Sequence, residues 1–411
     1  MSQKDLAIIV GGSHAAAQLC QSLRQEQWSG RILVISDDPH LPYHRPPLSK
    51  EYLSGDKQAD NLLIRPAAAY EKFDIEFMLN TRVEKIDRAS KTVQLNSGET
   101  LSYTKLALCT GARVRKLPIE GSDLKGVHYL RDLGDAEAIK QDIQPGIRAV
   151  IIGGGYIGLE TAALLRKVGL DVCILETMDR VLQRVTSKEI SAFYARVHTE
   201  EGVVIKTNAV AEKIVGAERV EAVICDNGES VAADLVIIGI GVVPNTELAE
   251  EIGLTVENGI VVDEYAQTSD KNIVAAGDCT VHPNPIYGRN IRLESVPNAS
   301  EQAKSAAASM CGVQKVYGSL PWFWSNQYDL KLQIAGLNQG FDEVHIRGDL
   351  SAGRSFVAWY LKGGNVIAAD CVNRPVEFML AKKLIQSGQN ISIEDLTNNA
   401  IEPKALMAAL I

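Results

Sequence analysis

Residues 151–160 read IIGGGYIGLE, and a weaker copy of the same pattern, IIVGGSHAAA, begins at Ile8. A strand that runs into a glycine-rich turn and then a helix aims backbone N–H groups and the positive end of the helix dipole at one point. That is how a chain grips a dinucleotide pyrophosphate. One copy implies one dinucleotide. Two copies, about a domain apart, imply two dinucleotides on one chain and electron transfer between them.

In the second copy Gly153, Gly155 and Gly158 satisfy G-x-G-x-x-G, with Tyr156 and Ile157 between. The first glycine allows the tight turn, the second lets the backbone approach phosphate, and the third lets helix pack on strand. The next strand, Val172–Leu175, ends at Glu176. A carboxylate there accepts from both ribose hydroxyls of an adenosine and repels a 2′-phosphate. No arginine lies closer downstream than Arg180, so NADH is expected over NADPH. In the first copy Gly11, Ser13 and Ala16 hold the three positions, and Asp37 is the candidate ribose acid. Alanine is acceptable at the third. Ser13 places a side chain where pyrophosphate approaches, which leaves two consequences open: a hydroxyl–phosphate hydrogen bond, or weaker retention of the ligand. The alternative for this copy is a purely structural turn.

The pattern between the turns is α/β. Leu6–Val10, Arg31–Ile35 and Lys105–Cys109 read as buried strands, the last closing on Thr110 and Gly111. Ala149–Ile152, Val172–Leu175 and Leu235–Ile238 repeat the order, the last closing on Gly239–Gly241. Short Val/Ile runs alternating with helices mean parallel sheets covered on both faces. Ile273–Asp278 is a further strand-to-glycine turn, and Ala299–Met310 a helix. From Trp322 alternating stretches such as Ser355–Leu361 and Val366–Asp370 read as antiparallel, with a helix from about Pro375. The expected domains are 1–113 with 243–317, 114–242, and 318–411.

Composition excludes several classes. The net charge of −9 over 411 residues argues against nucleic acid as a partner. No apolar run reaches the roughly 18 residues of a membrane span, and the N-terminus shows no targeting signal. The seven cysteines are scattered and form no C-x-x-C pair, which suits a reducing cytoplasm and leaves no local disulfide or iron–sulfur centre. The histidines show no metal spacing, so no metal is expected.

The stretch LPYHRPPLSKEYL (Leu41–Leu53) has no generic reading, but it resembles the flavin-binding segment of the oxygenase-coupled NADH:ferredoxin reductases. This family includes putidaredoxin and rubredoxin reductases and the reductase components of aromatic-ring dioxygenases. YLRDLGDA, GVVPNTELA, TSDKNIVAAGDC, ESVPNA, PWFWSNQYDLKLQIAGL and VNRPVEF match as well, over the whole chain. The resemblance implies two glutathione-reductase-like dinucleotide-binding domains plus a C-terminal α+β domain. It implies FAD contacts at Gly11, Ala15, Asp37, Arg45, Lys50, Val83, Arg131, Asp278 and Val296, with Trp324 next to the isoalloxazine. NAD(H) contacts are implied at Gly153–Gly158, Glu160, Glu176, Arg184 and Gly241. Two residues depart from the family pattern: Ser13 for glycine, and Asn326 for a frequent acid.

Lys50 beside a flavin would stabilise negative charge on the reduced ring, and Glu160 is its expected ion-pair partner. Trp322 is expected in the core. Lys304, Lys382 and Lys383 are candidates for docking an acidic protein. The implied activity is transfer from NADH through FAD to a one-electron carrier, a [2Fe–2S] ferredoxin or rubredoxin that feeds an oxygenase. A disulfide reductase or thiol peroxidase needs cysteine near Leu41–Lys50, and none is there. An NADH oxidase or quinone reductase of the apoptosis-inducing-factor type shares the same features, and so does a non-catalytic NADH-binding redox sensor.

Overall fold

A computed structural model describes residues 5–410. The first four residues, part of the stretch read for a targeting signal, lie outside the described residues. The chain divides into two compact units. One comprises the segments up to His44, Ala59–Arg113 and Val242–Pro321. The other comprises Arg45–Gln58, Val114–Gly241 and the chain from Trp322 onward.

The first unit is built on a five-stranded parallel sheet in the order Ile273–Ala275, Lys105–Leu108, Leu6–Val10, Arg31–Ile35, Ile75–Met78. Side chains alternate across a strand. Ala7 and Ile9 therefore face one apolar cluster, and Ile8 and Val10 another. Both faces are covered, which is why the strand reads as a continuous apolar run. Helices His14–Gln25 and Val296–Met310 cover the first face, sharing a cluster through Ala15, Ala16, Ala299, Ala303 and Ala306. Alanines let the two helices lie close, and Ala303→Leu would overpack the contact at a cost of about 1–3 kcal/mol. The second helix starts before the expected Ala299. Ser295 Oγ accepts from Asn298 N–H at 3.3 Å, and a proline in the first turn needs no partner.

The second unit repeats the layout. Its parallel sheet runs Val204–Lys206, Asp171–Leu175, Arg148–Ile152, Leu235–Ile238, Val127–Tyr129. The first four strands correspond one to one, in reverse order, with the last four of the first unit. The fifth differs in origin: it precedes the fingerprint strand here and follows it by more than a domain's length there. Each unit also carries a three-stranded antiparallel sheet that the apolar pattern did not reveal, Val83–Ser102 in the first and Ala211–Ala232 in the second. Val83, Val93 and Leu95 bury one face of the first such sheet.

The second unit also holds a five-stranded antiparallel sheet, in the order Trp322–Gln327, Leu330–Gly336, Asn365–Val372, Ser355–Lys362, Glu343–Asp349, followed by helix Pro375–Ser387. Among the described residues no helix is long and apolar enough to cross a membrane.

Candidate functional site

The two glycine-rich turns have one backbone geometry. Gly11 N–H donates to Ile35 O at 2.8 Å, and Gly153 N–H donates to Leu175 O at 2.8 Å. Both glycines have positive φ, 102° and 114°. A Cβ on Gly11 would stand 2.2 Å from Cys109 O, and one on Gly153 would stand 2.4 Å from Gly239 O. Only glycine fits, because φ and space forbid a side chain together. The helices that follow start at Ser13 and Gly155, and neither has a side-chain cap. A helix start without a side-chain cap suits an anion. A Cβ on Gly155 or Gly241 would meet nothing within 4 Å. This open space in front of an uncapped helix suits a pyrophosphate.

The side chains differ. Ser13 Oγ lies 3.5 Å from His14 Nδ1. Glu176 accepts from Gly154 N–H at 2.8 Å and Met178 N–H at 2.9 Å, which fixes its carboxylate beside the second turn. The first unit has buried Ser36 at that strand end, while Asp37 is exposed one residue on. The Thr110–Gly111 turn is held by Asn245: Thr110 Oγ1 donates to Asn245 O at 2.7 Å and Asn245 Nδ2 to Thr110 O at 2.8 Å. The turn before Asp278 is held by Gln302, which accepts from Gly277 N–H at 2.8 Å and Thr280 Oγ1 at 2.9 Å. Nothing in the local sequence marked Gln302. Its partners lie more than five helical turns away in sequence, and only its place on the buried face of an alanine-rich helix hinted at a task. Ala15 is buried and Val296 half-buried, and the Val83 side chain lies in the core.

In the second unit Lys50 and Glu160 form the expected ion pair at 2.5 Å. Glu160 is only 4% exposed. Its Oε2 also accepts from Ser49 Oγ at 2.8 Å, and Oε1 accepts from Ser325 Oγ at 2.7 Å. Two segments far apart in sequence, 49–50 and the strand that carries Ser325, thus converge on one carboxylate. A buried charge needs such partners, since removing one leaves the other charge uncompensated at a cost of about 3–5 kcal/mol. Arg45 donates from Nη1 to Arg131 O at 2.7 Å, so these two expected FAD contacts are neighbours. The Tyr156 ring meets Phe323 edge-on at 5.4 Å, and Ile157 stands 51% exposed beside it. Arg184 is exposed.

Trp324 and Trp322 lie 5.6 Å apart by ring centroid. Trp322, expected in the core, is half-buried under Lys382 Nζ at 5.2 Å. Strand alternation explains this: Trp322, Trp324 and exposed Asn326 share one face, while buried Ser325 and Gln327 share the other. Of the other two lysines suggested for docking, Lys304 pairs with Glu301 at 2.6 Å and Lys383 donates to Leu410 O at 2.5 Å. Among the described residues no three His, Cys, Asp or Glu side chains are grouped to hold a metal, and all seven cysteines are free.

Two repeated dinucleotide-binding folds with an appended antiparallel sheet define a nucleotide-dependent oxidoreductase class. The chain belongs to the pyridine nucleotide-disulphide oxidoreductase family, whose model matches residues 5–303, and the reductase C-terminal model matches residues 322–407. It is 42% identical to putidaredoxin reductase of Pseudomonas putida over 100% of this chain and 98% of that protein. It is 41% identical to rhodocoxin reductase of Rhodococcus erythropolis over 98% of this chain and 94% of that one. The solved covalent putidaredoxin reductase–putidaredoxin complex matches with a TM-score of 0.96 and 42% identity, covering 99% of each chain.

Proposed function

We propose that the protein is an FAD-dependent NADH:ferredoxin or rubredoxin oxidoreductase that passes electrons to a one-electron iron–sulfur carrier feeding an oxygenase. The observation that carries this reading is the pair of uncapped glycine turns of one geometry, one of them bearing Glu176, in a chain full-length related to putidaredoxin reductase. FAD, when bound, supplies hydride acceptance and release of single electrons.

The residues of the chain supply the rest. Gly11–Ala16, Thr110–Gly111, Asp278 and Val296 hold FAD on domain 1–113 with 243–317. Arg45, Arg131 and Trp324 keep the role that the resemblance implies, as contacts of FAD. Gly153–Gly158 and Gly241 hold the NADH pyrophosphate on domain 114–242, and Glu176 its adenosine ribose. Lys50 provides positive charge, and Glu160 keeps that ammonium in place. No side-chain nucleophile is needed; orientation and fixed charge are the contribution of the protein. The free cysteines fit a cytoplasmic location.

The test is optical. The purified protein is expected to be yellow and to bleach with NADH. Cytochrome c reduction is expected to require an added [2Fe–2S] ferredoxin. Full turnover without that carrier would indicate a direct oxidase or quinone reductase, and no bleaching would indicate a non-catalytic binding module.

A further inference from the structure

Glu160 is the inner end of a longer chain of buried polar side chains, all within the second unit. Beyond the Ser325 hydroxyl, Gln327 Nε2 lies 3.1 Å from Ser325 Oγ. Gln327 Oε1 lies 2.8 Å from His198 Nε2, and the Tyr328 hydroxyl lies 3.2 Å from His198 Nδ1. Ser325 and Gln327 are each 1% exposed and His198 is fully buried. His198 comes from helix Lys188–Glu200, 129 residues from Gln327.

The donor directions follow from the inner end. A carboxylate only accepts, so Ser325 spends its single proton on Glu160. Ser325 Oγ must then accept, which turns the NH2 side of the Gln327 amide toward it. Gln327 Oε1 therefore faces His198, and an amide oxygen only accepts, so His198 Nε2 carries hydrogen. Nδ1 of the neutral ring is left to accept from Tyr328. Burial, the largest influence on His198, lowers its pKa and keeps the ring neutral. Every donor in the chain thus points toward Glu160, and aligned hydrogen bonds polarise one another.

We propose that Gln327 and His198 are positioning residues for Glu160, acting through Ser325. The proposal rests on the reading of Lys50 and Glu160 as part of the NADH-oxidising site. Among the described residues, Lys50 and Ser49 bind Oε2 and Ser325 binds Oε1, so Ser325 fixes the rotation of the carboxylate. A proton route is a poorer account of the same chain, because an amide cannot pass a proton without adopting its imidic form. Nothing in the sequence assigned these residues: the partners are 165 and 129 positions apart.

The test uses the FAD-loaded protein in stopped flow, with Gln327→Leu and Ser325→Ala. In each variant the limiting rate of flavin bleaching at saturating NADH is expected to fall about tenfold, with the NADH dissociation constant held within about twofold. Nitrogen NMR of labelled wild type is expected to show neutral His198 with hydrogen on Nε2, and loss of that preference in Gln327→Leu. Should Gln327→Leu fail to fold, Ser325→Ala carries the kinetic arm. Bleaching at the wild-type rate in the variants, or hydrogen on Nδ1 in the wild type, overturns the positioning role. A wild-type flavin that NADH does not bleach overturns the functional reading itself.

Discussion

The turn at Gly153 and the turn at Gly11 share a backbone and differ in what fills it. In both, a positive-φ glycine passes under a strand-end carbonyl at a distance no Cβ tolerates. At the third position they part. A Cβ on Gly158 would stand 2.1 Å from Gly153 O. The equivalent Ala16 carries its Cβ into the helix–helix cluster with Ala299 and Ala303. At the end of the next strand the second unit has Glu176 bound to the turn, and the first has Ser36. A Cβ on Gly12 would come within 2.6 Å of that Ser36 Oγ, as one on Gly154 would come within 3.0 Å of Glu176 Oε2, and Ser36 Oγ accepts from Asp38 N–H at 3.2 Å as Glu176 accepts from Met178 N–H. The first position is thus constrained by the fold in both copies, whereas the third is closed to a side chain in the second copy and open to one in the first.

The sharpest break of the comparison is at the third position. Gly158→Ala is expected to slow NADH bleaching more than about a hundredfold while FAD stays bound, because helix and strand must part to admit the methyl. Ala16→Gly, the reciprocal change, should cost only about 1 kcal/mol of stability and leave the NADH reaction intact. Stopped-flow bleaching and thermal melts of the two variants measure both arms.

Next comes Glu176. The wild type is expected to favour NADH over NADPH by about a hundredfold in kcat/KM. Glu176→Gln should cut that ratio to about tenfold or below, as a charged acceptor becomes a neutral one. Ser36→Ala, at the matching strand end, should leave the ratio alone. An equal shift in both variants would mean that the NADH ribose is not read at Glu176.

The units also carry buried titratable groups of opposite kind. In the second, Asp370 accepts from Tyr360 at 2.6 Å and Thr186 at 2.8 Å, yet burial pushes its pKa up from 3.8 to about 6. In the first, burial pushes His282 down from 6.5 to about 4. The folded Asp370 holds a proton that the unfolded chain releases, so its contribution falls as pH rises from about 4 to about 6. His282 works the other way: the unfolded chain binds the proton, so its contribution is lost as pH falls from 6.5 toward about 4. Each window is worth roughly 3 kcal/mol at most. Asp370→Asn should raise stability at pH 7 and lose the gain near pH 4; His282→Phe should flatten the acid limb. Denaturant melts across that range check both signs.

What could be read from the chain followed the same division. The parallel strands were legible because burial on both faces forces unbroken apolar runs, as in Leu6–Val10 and Leu235–Ile238. Strand ends needed structure: Lys105–Leu108 stops one residue before the expected Cys109, where the chain turns into Thr110. The small antiparallel sheets were not legible, since strands of three to five residues with one wet face look like loops. Lys50 and Glu160 were found through motifs, but Ser325, Gln327, His198 and Gln302 were not. A buried polar group is recognisable only with its partner, and these partners lie far away in sequence. Trp322, expected in the core, is half-buried because it shares a strand face with Trp324 and exposed Asn326, an arrangement that depends on how the strand is turned.

The smallest effect is the most informative about ligand fit. Ser13 heads its helix without capping it, so Ser13→Gly costs the helix only a few tenths of a kcal/mol. It also clears the approach that Gly155 leaves open in the second unit. FAD is therefore expected to bind a few-fold tighter to Ser13→Gly, by about 1 kcal/mol at most, measured by calorimetry on the stripped protein. Gly155→Ser is the mirror change: its side chain enters space where nothing lies within 4 Å, so the fold should hold while NADH binds a few-fold more weakly. If Ser13→Gly instead loosens FAD, the hydroxyl is a phosphate ligand and the first turn is an adapted site. If both substitutions act as expected, the two turns are one device, and the serine is a tolerated imperfection in the copy where the rest of the FAD contacts carry the affinity.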